Sequence, residues 1–422
     1  MLDIKFIREN PEAVRKGAAA KNVTLDIGKL LDLDSKRRDL LTEMETLQGT
    51  KNALSKEIPN MSADQRPAKL AEIKELDVRM IALKPVYEQV EIEFGAMMLD
   101  LPNPPKEDVI IGKDDSENTT LRTWGTPTVF DFEPKEYTEI ADELDIIDTE
   151  RATKTSGTRF GFLKGEGALL ELALVNYTVS KLIPHGFRMV MPPQMVKEEI
   201  MRGMGYLEHG GIDEVYHLEK DNLFLIGTSE QVIGGMHANE ILEAKQFPLR
   251  YLGYSACFRR EAGSYGKDTK GILRVHQFNK LEMFSITAPE KSDEEHLFIL
   301  KMEEELMQGL GLPYQVLNIC SGDLGDSAAR KYDIEAWVPS QQKYRETHSS
   351  STTTDFQSRR LNIRFKNAEG KSEFVHMLNG TAFAIGRTLI AIIENYQQAD
   401  GSVAIPEALQ PFMFGIKKIT KR

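Results

Sequence analysis

Arg259 and Glu261 lie two apart in a stretch that reads as a strand, so their side chains face one way. A polar loop follows, with Gly263, Gly266 and Gly271 giving it the freedom to fold back over a ligand. A second strand returns through Val275, Phe278, Leu281 and Met283. A cation, a carboxylate and a returning aromatic on one sheet face suit a phosphate, a base edge and a purine ring. An ordinary surface hairpin carries the same pattern, so the hairpin alone leaves both readings open.

Three other groups of residues offer chemistry. A strand over Leu223 to Ile226 delivers Gly227-Thr228-Ser229-Glu230 to its end, where a hydroxyl and a carboxylate suit a small polar amino acid. The same residues suit a helix start, with Ser229 and Gln231 as capping groups. Glu346-Thr347-His348-Ser349 follows a strand, a turn and a second strand (Lys343 to Arg345). Its carboxylate and hydroxyl are hard oxygen ligands of the kind that hold Mg²⁺ on phosphates. Gly386-Arg387 opens a helix, where the charge and the helix N-terminus both favour an anion. Arginine at a helix start is ordinarily solvated, but Ala382, Phe383, Ile385, Leu389 and Ile390 leave this one few solvated options. The hydroxyl-rich run Ser349 to Thr354 also reads as a low-complexity loop. Neither a G-x-x-x-x-G-K-[ST] phosphate loop nor a G-x-G-x-x-G fingerprint is present. Ser340 to Lys343 has the S-x-x-K spacing without its companion motifs, which marks it as chance.

The wording of these segments resembles the class II aminoacyl-tRNA synthetases. F-R-R-E, a variable loop and R-V-H-Q-F with a following glutamate, over residues 257–284, is similar to motif 2 of that class. Within the class it resembles the seryl-tRNA synthetases of bacterial type. Leu101-Pro102-Asn103, Arg122 to Gly125, Thr155 to Phe160, Gly186 to Pro193, Gly227 to Glu230, Tyr344 to Ser350 and His376 to Gln398 match further blocks in the family's order. Ordered blocks along almost the whole chain are far less frequent by chance than any single one.

The resemblance implies an α+β fold: an antiparallel β-sheet flanked by helices, preceded by an N-terminal antiparallel two-helix coiled-coil arm. It implies activation of L-serine by ATP as seryl-adenylate, then transfer to the 3′ end of tRNA(Ser); whether tRNA(Sec) is a second acceptor is left open by the sequence. Arg259 and Arg387 are the implied catalytic cations, on the α-phosphate and the γ-phosphate side. Glu261 is matched to the adenine amino group and Phe278 to the adenine face. Arg260, Val275, His276 and Gln277 are expected along the same ATP wall. Glu346 and Ser349 are the expected Mg²⁺ ligands, with Thr347 and His348 beside ATP. Thr228, Ser229, Glu230, Glu282, Asn379 and Thr381 are expected around serine, together with Arg259. Arg260 stands where the family commonly has a small residue, and Thr381 where it usually has serine.

These residues need elements to hold them. An apolar helix from Gly167 to Leu182, a Pro184-His185-Gly186 stop and a short strand, Arg188 to Met191, precede Pro192-Pro193. That segment, residues 167–193, resembles motif 1, which implies a homodimer. Residues 376–398 resemble motif 3, with a helix running through Gln398. At the N-terminus, Leu33, Leu40, Leu47 and Leu54 recur every seven residues. On the return, Ile73, Leu76, Met80, Leu83, Tyr87, Val90, Phe94, Met97 and Leu101 alternate steps of three and four. This is the seam of paired helices, and Ile58-Pro59-Asn60 and Pro67 break the helix between them. Arg37 and Lys51 fall on the seam and weaken it. Periodicity alone favours a dimerising coiled coil; the resemblance reverses this, since the family carries such an arm to hold its tRNA. The expected domains are residues 1–102 and 103–422.

Composition sets the remaining limits. A net charge of −12 argues mildly against a surface that grips nucleic acid throughout, so the tRNA partner is implied by the resemblance alone. Cys257 and Cys320, the two cysteines, sit among apolar neighbours and read as buried thiols; no zinc is expected. No signal peptide and no membrane span is legible, which points to the cytoplasm. Two rivals remain: a synthetase relative that charges a carrier protein, and a coiled-coil nucleic-acid binder with an inactive body. Relatives of the first kind usually lack the arm, and the intact Arg259, Glu261, Glu282, Glu346 and Arg387 oppose the second.

Overall fold

The computed structural model describes residues 1–262 and 270–421; Gly263 and Gly266 of the expected loop lie outside them. Two compact units emerge. One comprises residues 2–19 and 23–102, the other Met1, residues 20–22 and the chain from Asn103 onward.

In the first unit, helices α1 (Ile27–Glu57) and α2 (Arg66–Asp100) lie antiparallel. Asp26 caps α1 by accepting from the Lys29 N–H at 2.9 Å. Pro67 sits in the first turn of α2, where its missing N–H costs nothing, so it starts the helix instead of breaking it. Leu33, Leu47, Leu54, Val90 and Phe94 are buried and the other seam residues of α2 at least half-covered. The two helices are each other's partners within one chain. The expected weak points are engaged across the pair. The Arg37 guanidinium lies 4.6 Å from the Phe94 ring centroid and reaches Glu91 and Asp34 at 3.4 Å, while Lys51 meets Asp77 at 2.5 Å. Such partly exposed pairs contribute about 1 kcal/mol at most, so they fix register while the apolar seam supplies stability.

The second unit is built on an eight-stranded sheet. Its strands are β1 (Thr119–Trp124), β2 (Phe187–Val190), β3 (Leu249–Phe258), β4 (Gln277–Thr287), β5 (Tyr314–Asn318), β6 (Arg330–Val338), β7 (Lys343–Thr354) and β8 (His376–Ala384). The spatial order is β1-β5-β6-β7-β8-β4-β3-β2. Every neighbouring pair is antiparallel except β2–β3. Helices α3 (Tyr137–Glu143), α4 (Gly165–Leu182), α5 (Ser292–Gly309) and α6 (Ile385–Asn395) complete the frame.

Side chains alternate across the sheet. Leu281 and Met283 of β4 enter a core with Leu170 and Leu174 of α4, Ile299 and Leu306 of α5 and Leu389 of α6. Each such side chain contributes roughly 1.5–3 kcal/mol on burial. Lys280 and Glu282 of β4 face the other way, toward a polar site that Lys280 lines. Gly380 of β8 lets α5 approach so closely that a Cβ there would overlap Ile299.

The hydroxyl run Ser349 to Thr354 is a central strand, not a loop: Ser350 to Thr353 are buried. Backbone carbonyls make this possible, since Thr353 Oγ1 donates to the Met377 carbonyl at 3.0 Å. The helix of motif 3 stops at Asn395, short of Gln398. Cys257 and Cys320 are both free and buried, and burial pushes the Cys257 thiol up. No helix among the described residues is long and apolar enough to cross a membrane.

Candidate active site

β3 ends at Phe258, so Arg259, Arg260 and Glu261 lie just beyond the strand instead of on it. Pairing carries one step further, the Arg259 N–H donating to the His276 carbonyl at 2.9 Å. The left-handed backbone at Glu261 (φ 53°) then turns the chain. Arg259 and Glu261 nonetheless reach the same cavity, of about 950 Å³, over the polar face of the sheet.

Twelve of the expected residues line it: Thr228, Glu230, Arg259, Glu261, Val275, Phe278, Glu346, Thr347, Ser349, Asn379, Thr381 and Arg387. At one end Arg259 Nε donates to the Gly227 carbonyl at 3.2 Å, with its guanidinium 5.2 Å from the Phe278 ring centroid. At the other, Arg387 donates to the Glu346 carbonyl at 3.0 Å and approaches its carboxylate at 3.2 Å. Desolvation would push the Glu346 carboxyl up, but Arg387, Lys331 and Arg259 outweigh it and hold the group below the usual range.

Between them lies a buried charged set. Asn379 donates to both Glu230 and Glu282, the latter at 3.3 Å. Lys280 pairs with Glu282 and stands 3.4 Å from Thr228 Oγ1. Glu282, fully buried, forms the floor behind Asn379 and Lys280. Burial, then the neighbouring Glu282 charge, raises the Glu230 carboxyl to about 7, with Lys280 opposing. Two β-bulges shape this wall, one near Thr347 on β7 and one near Ala382 on β8.

Besides Glu282, behind the wall, five expected residues do not line the cavity. Ser229 is buried against Gly253, its hydroxyl without a partner among the described residues, because the short Glu230–Ile233 helix turns it under the chain. Nor does it cap that helix; Gln231 instead accepts from the Gly227 N–H at 2.8 Å. Arg260 points outward, 5.6 Å from the Tyr216 ring centroid. The His276 ring accompanies Phe160 and Tyr216, with Nδ1 3.1 Å from the Arg259 carbonyl. Gln277 is exposed at the start of β4. His348 packs edge-on against Phe383, and burial holds its imidazole down at about 3.

Other lining residues escaped the sequence reading. Arg274 pairs with the Glu261 carboxylate at 2.6 Å. Lys280 stands midway between Phe278 and Glu282 on one strand face, a signal that strand alternation already contains. Tyr206 also lines the cavity, its phenol raised by burial and by Glu230. Behind the lining, Asp333, opposite Ser349 on β6, keeps a buried oxygen without a partner among the described residues, and desolvation raises its carboxyl to about 7 against the pull of Lys331.

An antiparallel sheet whose polar face gathers Arg259 and Arg387, closed by the helix that carries Arg387, has the architecture of a class II synthetase core. Residues 215–396 match the tRNA synthetase class II core domain (G, H, P, S and T), and residues 1–105 the seryl-tRNA synthetase N-terminal domain. The serine–tRNA ligase of Thermobifida fusca is 47% identical over 98% of this chain and 97% of its own length. That of Geobacter sulfurreducens is 45% identical over 99% of this chain and 100% of its own. The crystal structure of seryl-tRNA synthetase from Pyrococcus horikoshii complexed with ATP superposes with a TM-score of 0.92 at 40% identity, covering 100% of both chains. The cytoplasmic serine–tRNA ligase of Naegleria fowleri in complex with AMP gives 0.87 at 34% identity, over 100% of this chain and 99% of that one. The chain belongs to the seryl-tRNA synthetases.

Proposed function

We propose that this serine–tRNA ligase performs both half-reactions with the cavity residues in the roles set out here. The observation that carries the reading is the gathering of Arg259, Arg387, Glu230 and Asn379 in one cavity, with Glu282 buried behind Asn379. ATP lies with adenine against Phe278 and Val275, its amino group toward Glu261. The serine carboxylate oxygen attacks the α-phosphorus in line. A new P–O bond forms as the bond to the β-phosphate oxygen breaks, and pyrophosphate leaves. Arg259 neutralises charge growing on the α-phosphate, and Arg387 binds the far phosphates. In the second step a ribose hydroxyl at the tRNA 3′ end attacks the acyl carbon and AMP departs. Neither step needs a protein nucleophile, so positioning and charge stabilisation carry the rate.

The Glu346 carboxylate, the Ser349 hydroxyl and the unpartnered Asp333 oxygen form a hard-oxygen donor set that fits Mg²⁺. The ion would be held by Glu346 and Ser349, and when bound it supplies charge neutralisation on ATP phosphate oxygens. Motif 1 bears Leu172, Ile183 and Met191 exposed, with Met195 just beyond, which supports a homodimer through this surface. The partners are L-serine, ATP and tRNA(Ser), with tRNA(Sec) as a second acceptor, in the cytoplasm.

Serine-dependent ATP–pyrophosphate exchange tests the reading. Arg259→Ala should lower it by ~10²–10³, the usual cost of one transition-state charge partner. Near-normal exchange with unchanged circular dichroism would put the ATP site elsewhere. Glu346→Ala should lower the rate and also raise the Mg²⁺ concentration needed for half-maximal exchange. An unchanged Mg²⁺ dependence would remove Glu346 from the metal site.

A further inference from the structure

Tyr137, the first residue of α3, stands outside the main cavity, beside a smaller one of about 270 Å³ that it shares with Ser340, Glu394 and Lys270. Its hydroxyl accepts from the Ile272 N–H at 2.8 Å and donates to the Lys270 carbonyl at 3.2 Å. One phenol thus holds a backbone group on each side of Gly271. That glycine has a left-handed backbone (φ 66°), and a Cβ on it would overlap the Tyr137 hydroxyl. The seat is therefore built for this contact from both sides.

Tyr137 is itself anchored. Its N–H donates to Glu394 Oε1 of α6 at 3.0 Å. Glu394 also accepts from the Ser340 N–H at 3.0 Å and the Ser340 hydroxyl at 2.9 Å. On its far side the Ile272 carbonyl lies close over Gly386, where a Cβ would come within 3.3 Å. Lys270 to Ile272 is thus clamped between α3 and the start of α6. Two residues further on, Arg274 pairs with Glu261; one residue beyond Gly386, Arg387 pairs with Glu346. Ile272, whose N–H the Tyr137 hydroxyl holds, thus stands two residues from one ion pair and against the glycine that precedes the other. Burial pushes that phenol up to about 12, so it keeps its proton and donates at neutral pH.

We propose that Tyr137 is a positioning residue for ATP, a latch that sets Arg274 and Glu261 against Arg387 without touching the nucleotide. The proposal rests on the cavity being the ATP site. Tyr137→Phe keeps the ring and removes the latch, leaving the Ile272 N–H buried and unpaired. The ATP KM should rise about 10-fold, with the serine KM unchanged, because Glu230, Glu282 and Asn379 are held by other contacts. Gly271→Ala blocks the seat from the other side and should raise the ATP KM similarly. The double variant should fall short of the product of the two effects, since both remove one interaction. Amide hydrogen exchange at Ile272 should quicken in Tyr137→Phe, a readout independent of turnover.

An unchanged ATP KM in both variants overturns the proposal. So does a parallel rise in ATP and serine KM accompanied by a lower melting temperature, which marks a merely structural tyrosine. If Tyr137→Phe does not fold, Gly271→Ala with an unchanged ATP KM overturns it alone. Failure of the underlying reading shows differently: the wild type itself would then lack serine-dependent exchange.

Discussion

Alanine offered in place of serine should support pyrophosphate exchange with a kcat/KM on the order of 10⁴-fold lower. The two amino acids differ by one hydroxyl, and a hydrophobic pocket would barely tell them apart. This pocket is not hydrophobic. Thr228, Glu230, Glu282, Asn379 and Thr381 are buried or half-buried, and Lys280 lies among them. Binding a small amino acid excludes water from all of them. Serine returns a hydroxyl that can both donate and accept; alanine returns a methyl and leaves a buried polar group unpaired. Glu230 sharpens the effect, because burial and the Glu282 charge already raise its carboxyl to about 7. Glycine should behave as alanine does. Steady-state exchange with each amino acid at saturating ATP makes the comparison. Equal rates with alanine would remove the serine assignment of the pocket while leaving the fold untouched.

How far the chain could be read in advance follows the physics of each element. The seam residues of α1 and α2 repeat every three or four positions, and that period survives folding because the helices are regular. Arg259, Glu261, Phe278, Glu346 and Arg387 were recognisable from the wording of their segments, and all reach one cavity. Neighbours taken along with them fared worse. His276, Gln277 and His348 follow or precede true lining residues by one position, and in extended chain one position means the opposite face. Alternation would have discarded several of these and selected Lys280. It would not have placed Thr347 and His348 surely, since the bulge in β7 shifts the register locally and leaves no clear mark in sequence. Arg260 looked like added charge at the ATP site, yet the turn at Glu261 sends it outward onto Tyr216. Composition left the Ser349–Thr354 run undecided between strand and loop, because carbonyls that satisfy its hydroxyls, those of Tyr332 and Met377, come from strands distant in sequence.

Deleting the arm from about Asp26 to Phe94, with a short linker across the gap, should separate the two half-reactions. The seam of α1 and α2 is satisfied helix against helix, and its ion pairs Arg37–Glu91, Lys51–Asp77 and Arg79–Glu43 lie within the arm. Removal therefore takes both members of each pair and strands no buried charge there. Arg8 loses its contact with Asp34 but is partly exposed and can be solvated. Serine-dependent pyrophosphate exchange should persist near its full rate, because none of the residues lining the active-site cavity belongs to the arm. Charging of tRNA should fall on the order of 10³-fold in kcat/KM, the scale that separates specific from non-specific nucleic-acid binding. At about 1.5 Å per residue, helices of 31 and 35 residues reach far along a nucleic acid. With a net charge of −12, the chain as a whole offers little general attraction for phosphate. Wild-type charging should also weaken steeply with salt if Lys51, Lys56, Lys69 and Lys74 meet phosphates. Normal charging by the truncated protein would remove the arm from tRNA recognition. Loss of adenylate formation in a folded truncation would instead tie the arm to the chemistry of the catalytic cavity.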